Sequence, residues 1–347
     1  MKKSRFFLMV MVTIITALSF SAISFHCGST QHAASRMFPE LKGPYLGQTL
    51  PRNIPEPFAP GIITTGMYTR DVSLTPDGSE LYFCVSAYGF NLIFYSRQVD
   101  GIWTEPVPAP FIKDFNYMYY EPHITPNGRR MLFLSNMPSV ERAEENEDIW
   151  VVDRYGDEWG EPYNLGAPVN SEHREFYPST TREGTIYFTR QMKGEPVGYI
   201  YRSRFMDGGY TEPEKLGPNV NCGSNQYNAF IDPDEQYIIV PVLGRSDSFG
   251  STDYYIVFRD KNDRWSNPIN LGKEVNTPSG REYSPYVSPD GRFFFFMTTR
   301  PAPVFNGPEF LRSFRELPDG FAQPQNGNAD IFWIDAGFID QLRPESW

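Results

Sequence analysis

Five times along the chain a cluster of turn-forming residues is followed by an apolar run too short to make a helix. The turns are Thr75-Pro76-Asp77-Gly78, Thr125-Pro126-Asn127-Gly128, Thr181-Arg182-Glu183-Gly184, Asp232-Pro233-Asp234-Glu235 and Ser288-Pro289-Asp290-Gly291, about fifty to fifty-six residues apart. Proline presets φ, and Asp-Gly accepts the positive φ that joins antiparallel strands without splaying them. The runs that follow are Leu81-Tyr82-Phe83, Met131-Leu132-Phe133, Ile186-Tyr187-Phe188, Ile238-Ile239-Val240 and Phe294-Phe295-Phe296. A third strand comes after a variable loop, at Leu92 to Tyr95, Asp148 to Val151, Tyr199 to Tyr201, Tyr254 to Val257 and Asp330 to Trp333. A fourth motif closes most units: Trp103-Thr104-Glu105-Pro106, Trp159-Gly160-Glu161-Pro162, Tyr210-Thr211-Glu212-Pro213 and Trp265-Ser266-Asn267-Pro268. With an extended run before each turn, such as Glu282 to Val287, every unit reads as four strands. Hairpins this aromatic are not stable alone in water, so the units must stack.

A period of this length, with four strands per unit, predicts an all-β fold in the form of a single β-propeller. The fifth unit lacks its closing motif, because the chain ends at Trp347. Ile54-Pro55-Glu56-Pro57-Phe58 stands before Asp71 at about the distance that separates Glu161-Pro162 from Tyr177. The N-terminal segment is therefore expected to supply the outer strand of the last blade, closing the ring and leaving no open sheet edge. The count is five four-stranded blades, or six if residues 37 to 66 and the insert 301 to 329 build a degenerate extra blade.

Lys2, Lys3 and Arg5 precede the apolar run Phe6 to Ile15 and small residues around Ser19 to Ser24, the three-part pattern of a secretory signal. Cys27 directly after it invites a lipoprotein signal, with lipidation of the cysteine; cleavage near Ser24 is the alternative. The expected division is a signal peptide over 1–27, an extended leader over 28–54 and the propeller over 55–347. Either leader reading predicts export, to the periplasm or to association with the outer membrane, with the membrane met only through a lipid anchor. The net charge of -11 argues against nucleic acid as a partner. Beyond Cys27 only Cys84 and Cys222 remain, and neither has metal-ligand spacing. No cofactor and no metal are expected.

The Ser-Pro-Asp-Gly turn before an aromatic strand, the Asp148-Ile149-Trp150 strand, and Trp159-Gly160-Glu161-Pro162-Tyr163-Asn164-Leu165-Gly166, echoed by Trp265 to Gly272, resemble the WD-like propeller repeats of exported bacterial proteins. The propeller of the periplasmic Tol-system protein belongs to the same broad class. The resemblance covers residues 55 to 335, is specific for fold and implies little about reaction. Arg182-Glu183 and Glu235 depart from the Pro-Asp-Gly pattern.

In a propeller the innermost strands line a central channel, and the residues just before each turn belong to them. Aligned on the turn, Thr69, Tyr119, Glu175, Gln226 and Glu282 make one ring, and Asp71, Glu121, Tyr177, Asn228 and Ser284 a second, two residues on. Arg174 and Arg281 flank the first ring, and Tyr283 and His123 lie beside them. Carboxylates, arginines and tyrosines in one channel suit a polar small molecule or a glycan. The bland alternative is that these groups brace neighbouring blades. Arg190 and Arg300 end equivalent strands and are rim candidates for a ligand carboxylate. His123 and His173 are too few for a histidine-built metal site. Trp103, Trp159 and Trp265 recur at matching positions and read as packing.

No Gly-x-Ser-x-Gly elbow, phosphate-binding glycine loop or His-Glu-x-x-His helix is present. The sequence thus reads as an exported, non-catalytic binding or interaction module of the cell envelope. Two further readings stay open: a polysaccharide lyase or glycosidase using Glu175, Glu282 and Asp71, and a scaffold that binds an envelope protein through its rim inserts.

Overall fold

The computed structural model describes residues 37–139, 146–278, 280–303 and 317–345. The leader residues Lys2 to Cys27, with the signal and lipidation readings placed on them, lie outside the described residues. Glu40–Trp347 forms one compact unit.

Five antiparallel sheets follow one another along the chain, with one small extra hairpin at Phe205–Met206 and Gly209–Tyr210. The inner strands are Tyr68–Leu74, Tyr119–Ile124, Arg174–Thr180, Asn225–Gln226 with Phe230–Ile231, and Glu282–Val287. The second strands are Glu80–Ala87, Arg130–Ser135, Ile186–Gln191, Tyr237–Leu243 and Phe293–Thr298. The third are Phe90–Val99, Asp148–Tyr155, Gly198–Ser203, Thr252–Phe258 and Asp330–Asp335. Consecutive inner strands touch one another, and the fifth touches the first. The fold is therefore a closed five-bladed β-propeller. Residues 37 to 66 and 301 to 329 add no sixth sheet among the described residues.

Closure runs through the N-terminal segment as the repeat count required. Glu56–Pro57 pairs antiparallel with the last third strand, Glu56 opposite Trp333 and Pro57 opposite Phe332. Phe58, fully buried, sets its ring edge-on to Phe295 and Trp333 at 5.0 and 5.1 Å. First and last segments thus share one aromatic core, which removes the sheet edge an open ring would expose.

The turns between inner and second strands are tight, and the third and fourth fold as the others do despite their sequence. Glu235 takes φ 55, the left-handed conformation that Gly78, Gly128, Gly184 and Gly291 adopt elsewhere. Trp159 and Trp265 stand edge-on to Tyr82 and Tyr187 of the preceding blade, so these tryptophans do pack between blades.

An asparagine recurs that spacing alone did not single out. Asn170, Asn221 and Asn276 each accept from the N–H of a third-strand residue and donate to its carbonyl, at Ile149, Ile200 and Tyr254. One side chain thereby satisfies the N–H of that strand position and shares its carbonyl with the backbone N–H of Leu165, Leu216 or Leu271. It also fixes the loop that leads into the next inner strand.

Candidate functional site

The two ends of the ring are unlike. Second strands end, and third strands begin, at the end where the inner strands start. The connections from second to third strands, among them 136–147, 192–197, 244–251 and 299–329, leave from that end, and the connections from each outer strand to the next inner strand, 109–118, 165–173, 216–224 and 271–281, arrive there. The opposite end carries the tight turns. The elaborated end is the natural binding face, since binding residues concentrate on loops held by a rigid scaffold.

Each inner strand carries a bulge at the same place. Asp71, Glu121, Tyr177, Asn228 and Ser284 all have positive φ, between 52 and 67. The pairing slips by one residue there in every blade, for example between Arg70 and Ser73 and between Tyr120 and His123. A left-handed conformation costs roughly 1–2 kcal/mol for a residue with a Cβ. It is repeated five times because the bulge bends the strand about the axis and re-aims its side chains.

The bulge separates the two rings read from the sequence. Thr69, Tyr119, Glu175, Gln226 and Glu282 are buried to 1% exposure or less and serve the blades and their loops. Glu175 accepts from Ser171 Oγ at 2.5 Å and from Arg190 Nε at 2.7 Å. Glu282 Oε1 accepts from Thr277 Oγ1 and Thr298 Oγ1, Gln226 donates to Gly198 O, and Thr69 donates to Ala329 O. Tyr119 stacks on Phe133. Arg190 and Arg300 donate to the carbonyls of Val169 and Val275, so their guanidinium groups are engaged in loop anchoring. Arg174 is exposed and paired with Glu147.

The second ring does meet at the axis. Arg70, which the sequence reading had passed over, lies at its centre. Its Nε donates to Asp71 Oδ1 at 2.9 Å and its Nη2 to Glu121 Oε1 at 2.9 Å. Glu121 also accepts from Tyr177 N at 2.7 Å and from Asn228 Nδ2 at 3.4 Å, so one carboxylate ties four blades together. Burial pushes the Glu121 carboxyl up, and Asp71 adds to the rise while Arg70 opposes it. Behind this cluster is a small cavity of about 10 Å³ lined by Asp71, Glu121, Tyr177 and Pro285, among others, with room for about one water. Asp71 Oδ2 is buried with Arg70 Nε 2.8 Å away as its ion-pair contact, and in the same ring Ser284 Oγ is buried without a hydrogen-bond partner.

In front of the cluster, toward the elaborated end, the residues preceding each bulge form a half-buried mouth: Arg70, Tyr120, Phe176, Tyr227 and Tyr283. The Arg70 guanidinium lies over the rings of Tyr120 and Tyr283, 5.4 and 4.9 Å from their centroids. The Tyr283 hydroxyl meets that of Tyr68, and Tyr120 donates to Asn91 Oδ1 at 2.8 Å. Of this mouth only Tyr283 is singled out by the sequence. The recurrence of an aromatic residue one place before the bulge, at 120, 176, 227 and 283, was the available signal.

His123 has a different task. Its Nε2 accepts from Thr180 N at 2.9 Å, which puts the ring proton on Nδ1, and burial pushes its pKa down to about 3. Ser73, Ser179 and Tyr286 occupy the equivalent place and accept from Ile124 N, Ile231 N and Leu74 N of the following blade. This set of bonds stitches inner strand to inner strand. Among the described residues no group of three or more His, Cys, Asp or Glu is arranged to hold a metal.

A larger opening of about 450 Å³ lies beside the outer strands of the fourth and fifth blades, floored by Leu271, Val275, Ile334 and Phe338 with Arg52 and Glu274 at its edge. No catalytic grouping faces it.

No family model matches the sequence, and no curated protein matches it. Solved structures of similar shape include TolB from Acinetobacter baumannii, at 14% identity and TM-score 0.42, over 77% of this chain and 57% of that one. Another is the Bacillus subtilis arabinanase Arb43A, at 11% identity and TM-score 0.47, over 79% of this chain and 96% of that one. A third is the NanB sialidase from Streptococcus pneumoniae, at 13% identity and TM-score 0.40, over 74% and 37%. Similarities this low assign no activity. The class defined by the fold is the five-bladed β-propeller, with a polar axial cluster behind an aromatic mouth.

Proposed function

We propose that this protein is an exported binding module that takes a polar ligand, a sugar or short glycan, at the mouth of its channel and does not turn it over. One observation carries the reading: Arg70, fixed by Asp71 and Glu121, sits between the rings of Tyr120 and Tyr283 on the face that bears every long insert. Aromatic faces with one preorganised polar group are how proteins hold a hydroxylated ring while fixing its orientation. Export rests on the charged and apolar leader, with Cys27 as the residue a lipid anchor would use.

The arrangement favours binding over hydrolysis. A glycosidase needs two carboxyl groups facing each other across a sugar. Here Asp71 and Glu121 are both committed to one guanidinium, and the cavity behind them has room for about one water. Glu175 and Glu282 point into loops of their own blades.

The reading is tested with a glycan array and reducing-end assays on the full chain. A bound glycan should lose about tenfold or more in affinity in Tyr283→Ala and Tyr120→Ala, each variant keeping its β circular-dichroism spectrum. Turnover of any glycan that disappears in Glu282→Gln or Asp71→Asn would replace the binding reading with an enzymatic one. Recovery of an envelope protein through the 299–329 connection, with no glycan bound, would replace it with a scaffold.

A further inference from the structure

We propose that the ligand of the mouth carries a carboxylate, as a sugar acid does, and that its arrival is accompanied by the uptake of one proton on Glu121. This rests on the mouth being the binding site.

The donor count points to the carboxylate. Arg70 spends Nε on Asp71 and Nη2 on Glu121, and Nη1 has no acceptor among the described residues. Its side chain is 14% exposed, so the unspent edge belongs to the mouth and not to the core. A guanidinium edge held rigid by two carboxylates and two aromatic rings is preorganised for a planar, two-oxygen acceptor. Arg281, exposed and without a carboxylate partner among the described residues, lies close enough to Tyr68 to act on its hydroxyl. A second positive charge therefore stands beside the Tyr68–Tyr283 hydroxyl pair. The sugar ring would lie on Tyr283 or Tyr120, and the hydroxyls would meet the phenol oxygens.

The proton follows from the charges already there. Arg70 faces two carboxylates, so a third brought by the ligand leaves the cluster with excess negative charge in a site largely screened from bulk water. The groups facing Glu121 are Arg70, Asp71 and Cys84 from the first blade, Glu147 from its own loop, Tyr177 from the third blade and Asn228 from the fourth. Of these only Arg70 is cationic. A protonated Glu121 needs an acceptor, and Asp71 Oδ2 supplies one: it is buried, has the Arg70 Nε ion pair at 2.8 Å as its contact and lines the same small cavity. The bond runs from the Glu121 hydroxyl to Asp71 Oδ2, directly or through one water. The proton comes from solvent, and no other bond changes. The raised affinity of Glu121 for a proton, caused by burial, acts in the same direction.

The experiment is titration calorimetry of the full chain with an oligogalacturonide and with a neutral galactose oligomer of equal length. It is run at about pH 7.5 in two buffers of different ionisation heat. The expected result is that the acidic oligomer binds at least about tenfold tighter than the neutral one, with roughly one proton taken up, and that Glu121→Gln binds without proton uptake. Gln keeps an oxygen to accept from Tyr177 N, and the wild-type buffer comparison stands even if that variant fails to fold. Equal binding of both oligomers overturns the carboxylate inference and leaves the mouth reading intact. Acid binding with no buffer dependence overturns the proton. If Arg70→Lys and Tyr283→Ala leave acid binding unchanged, or if neither oligomer binds, the mouth itself is the wrong site.

Discussion

Arg70 of the first blade reaches Glu121 of the second at 2.9 Å, and through that carboxylate it is coupled to Tyr177 of the third and Asn228 of the fourth. The contact explains how strained backbone at the bulges is held. The Tyr177 N–H has no strand partner where the bulge opens the ladder. The corresponding N–H groups in the second and fourth blades are taken by Cys84 Sγ and Thr189 Oγ1. Leu134, which stands at that place in the second blade, has no acceptor to offer, and the Glu121 carboxylate replaces it.

Removing the guanidinium should therefore do more than weaken a ligand site. In Arg70→Met two buried carboxylates lose their shared counter-ion, and the loss expected from breaking such a cluster is about 3–5 kcal/mol. Urea unfolding near neutral pH measures it. Glu121→Gln, which keeps an acceptor for Tyr177 N and sheds one negative charge, should cost much less. If the two variants are equally stable, the axial cluster does not hold the ring.

His123 gives a second prediction. Its Nε2 is the acceptor for Thr180 N, so His123→Leu leaves a buried N–H unsatisfied, a cost of about 1–3 kcal/mol. His123→Gln can restore an acceptor and should recover part of it. The ring should stay neutral across the pH range where a free histidine titrates, because burial pushes its pKa down to about 3. Nitrogen chemical shifts that report an Nδ1–H tautomer from about pH 5 to 8 are expected; a titration near 6.5 would contradict the assignment.

Much of this architecture was legible in the sequence, and the limit has a physical cause. Turn chemistry repeats because each Asp-Gly pair solves the same backbone problem, so blade number and ring closure by Glu56–Pro57 followed from spacing. What a side chain faces did not. Period-two alternation places Thr69 and Asp71, or Glu175 and Tyr177, on one side of a strand, and the bulge at the second of each pair breaks that equivalence. Glu175, Gln226 and Glu282 consequently turn to loops and neighbouring blades, and Arg70 reaches the axis. The bulge leaves a weak trace, a proline at its second position in Pro122, Pro178 and Pro285. Pro at that place is tolerated because its missing N–H interrupts no ladder bond there.

Closure of the ring can be tested at one side chain. Phe58 is fully buried against Phe295 and Trp333, and no other residue of the outer strand Glu56–Pro57 or its flank enters that aromatic cluster as deeply. Phe58→Ala should cost about 3–5 kcal/mol by removing an aromatic ring from a packed core. The same change at exposed Phe321 should be near neutral. Hydrogen exchange supplies the second readout, since the Ile331 carbonyl accepts from Phe58 N and loosening the N-terminal strand frees the third strand of the last blade. Unchanged exchange over 330–335 in Phe58→Ala would mean that the blade holds without its closing strand.

The fifth blade also predicts how stability varies with pH. Asp148 and Asp253 are met by Asn164 and Asn270 from their outer strands, whereas the outer strand of the fifth blade has Pro57 at the equivalent register, opposite Phe332, and Pro57 offers Asp330 no side-chain donor. Asp330 Oδ1 is left buried without a partner, as is Glu282 Oε2 on the same sheet. Burial raises both carboxyls to about 7, from 3.8 and 4.5. A carboxyl whose folded-state pKa lies above its unfolded value binds more protons in the folded chain. Its contribution is complete below the unfolded value and is lost as pH rises through about 7. Each group should remove on the order of 1–3 kcal/mol between about pH 5 and 8. His123 acts in the opposite sense, losing stability as pH falls below its ordinary range, and offsets part of the gain at the acid end. Denaturant midpoints compared at the two pH values isolate the carboxyls: Asp330→Asn and Glu282→Gln should each flatten the decline, and the double variant should flatten it further. A wild-type protein that becomes more stable from pH 5 to 8, or a slope that neither substitution alters, would show that these two groups are not held neutral in the folded blade.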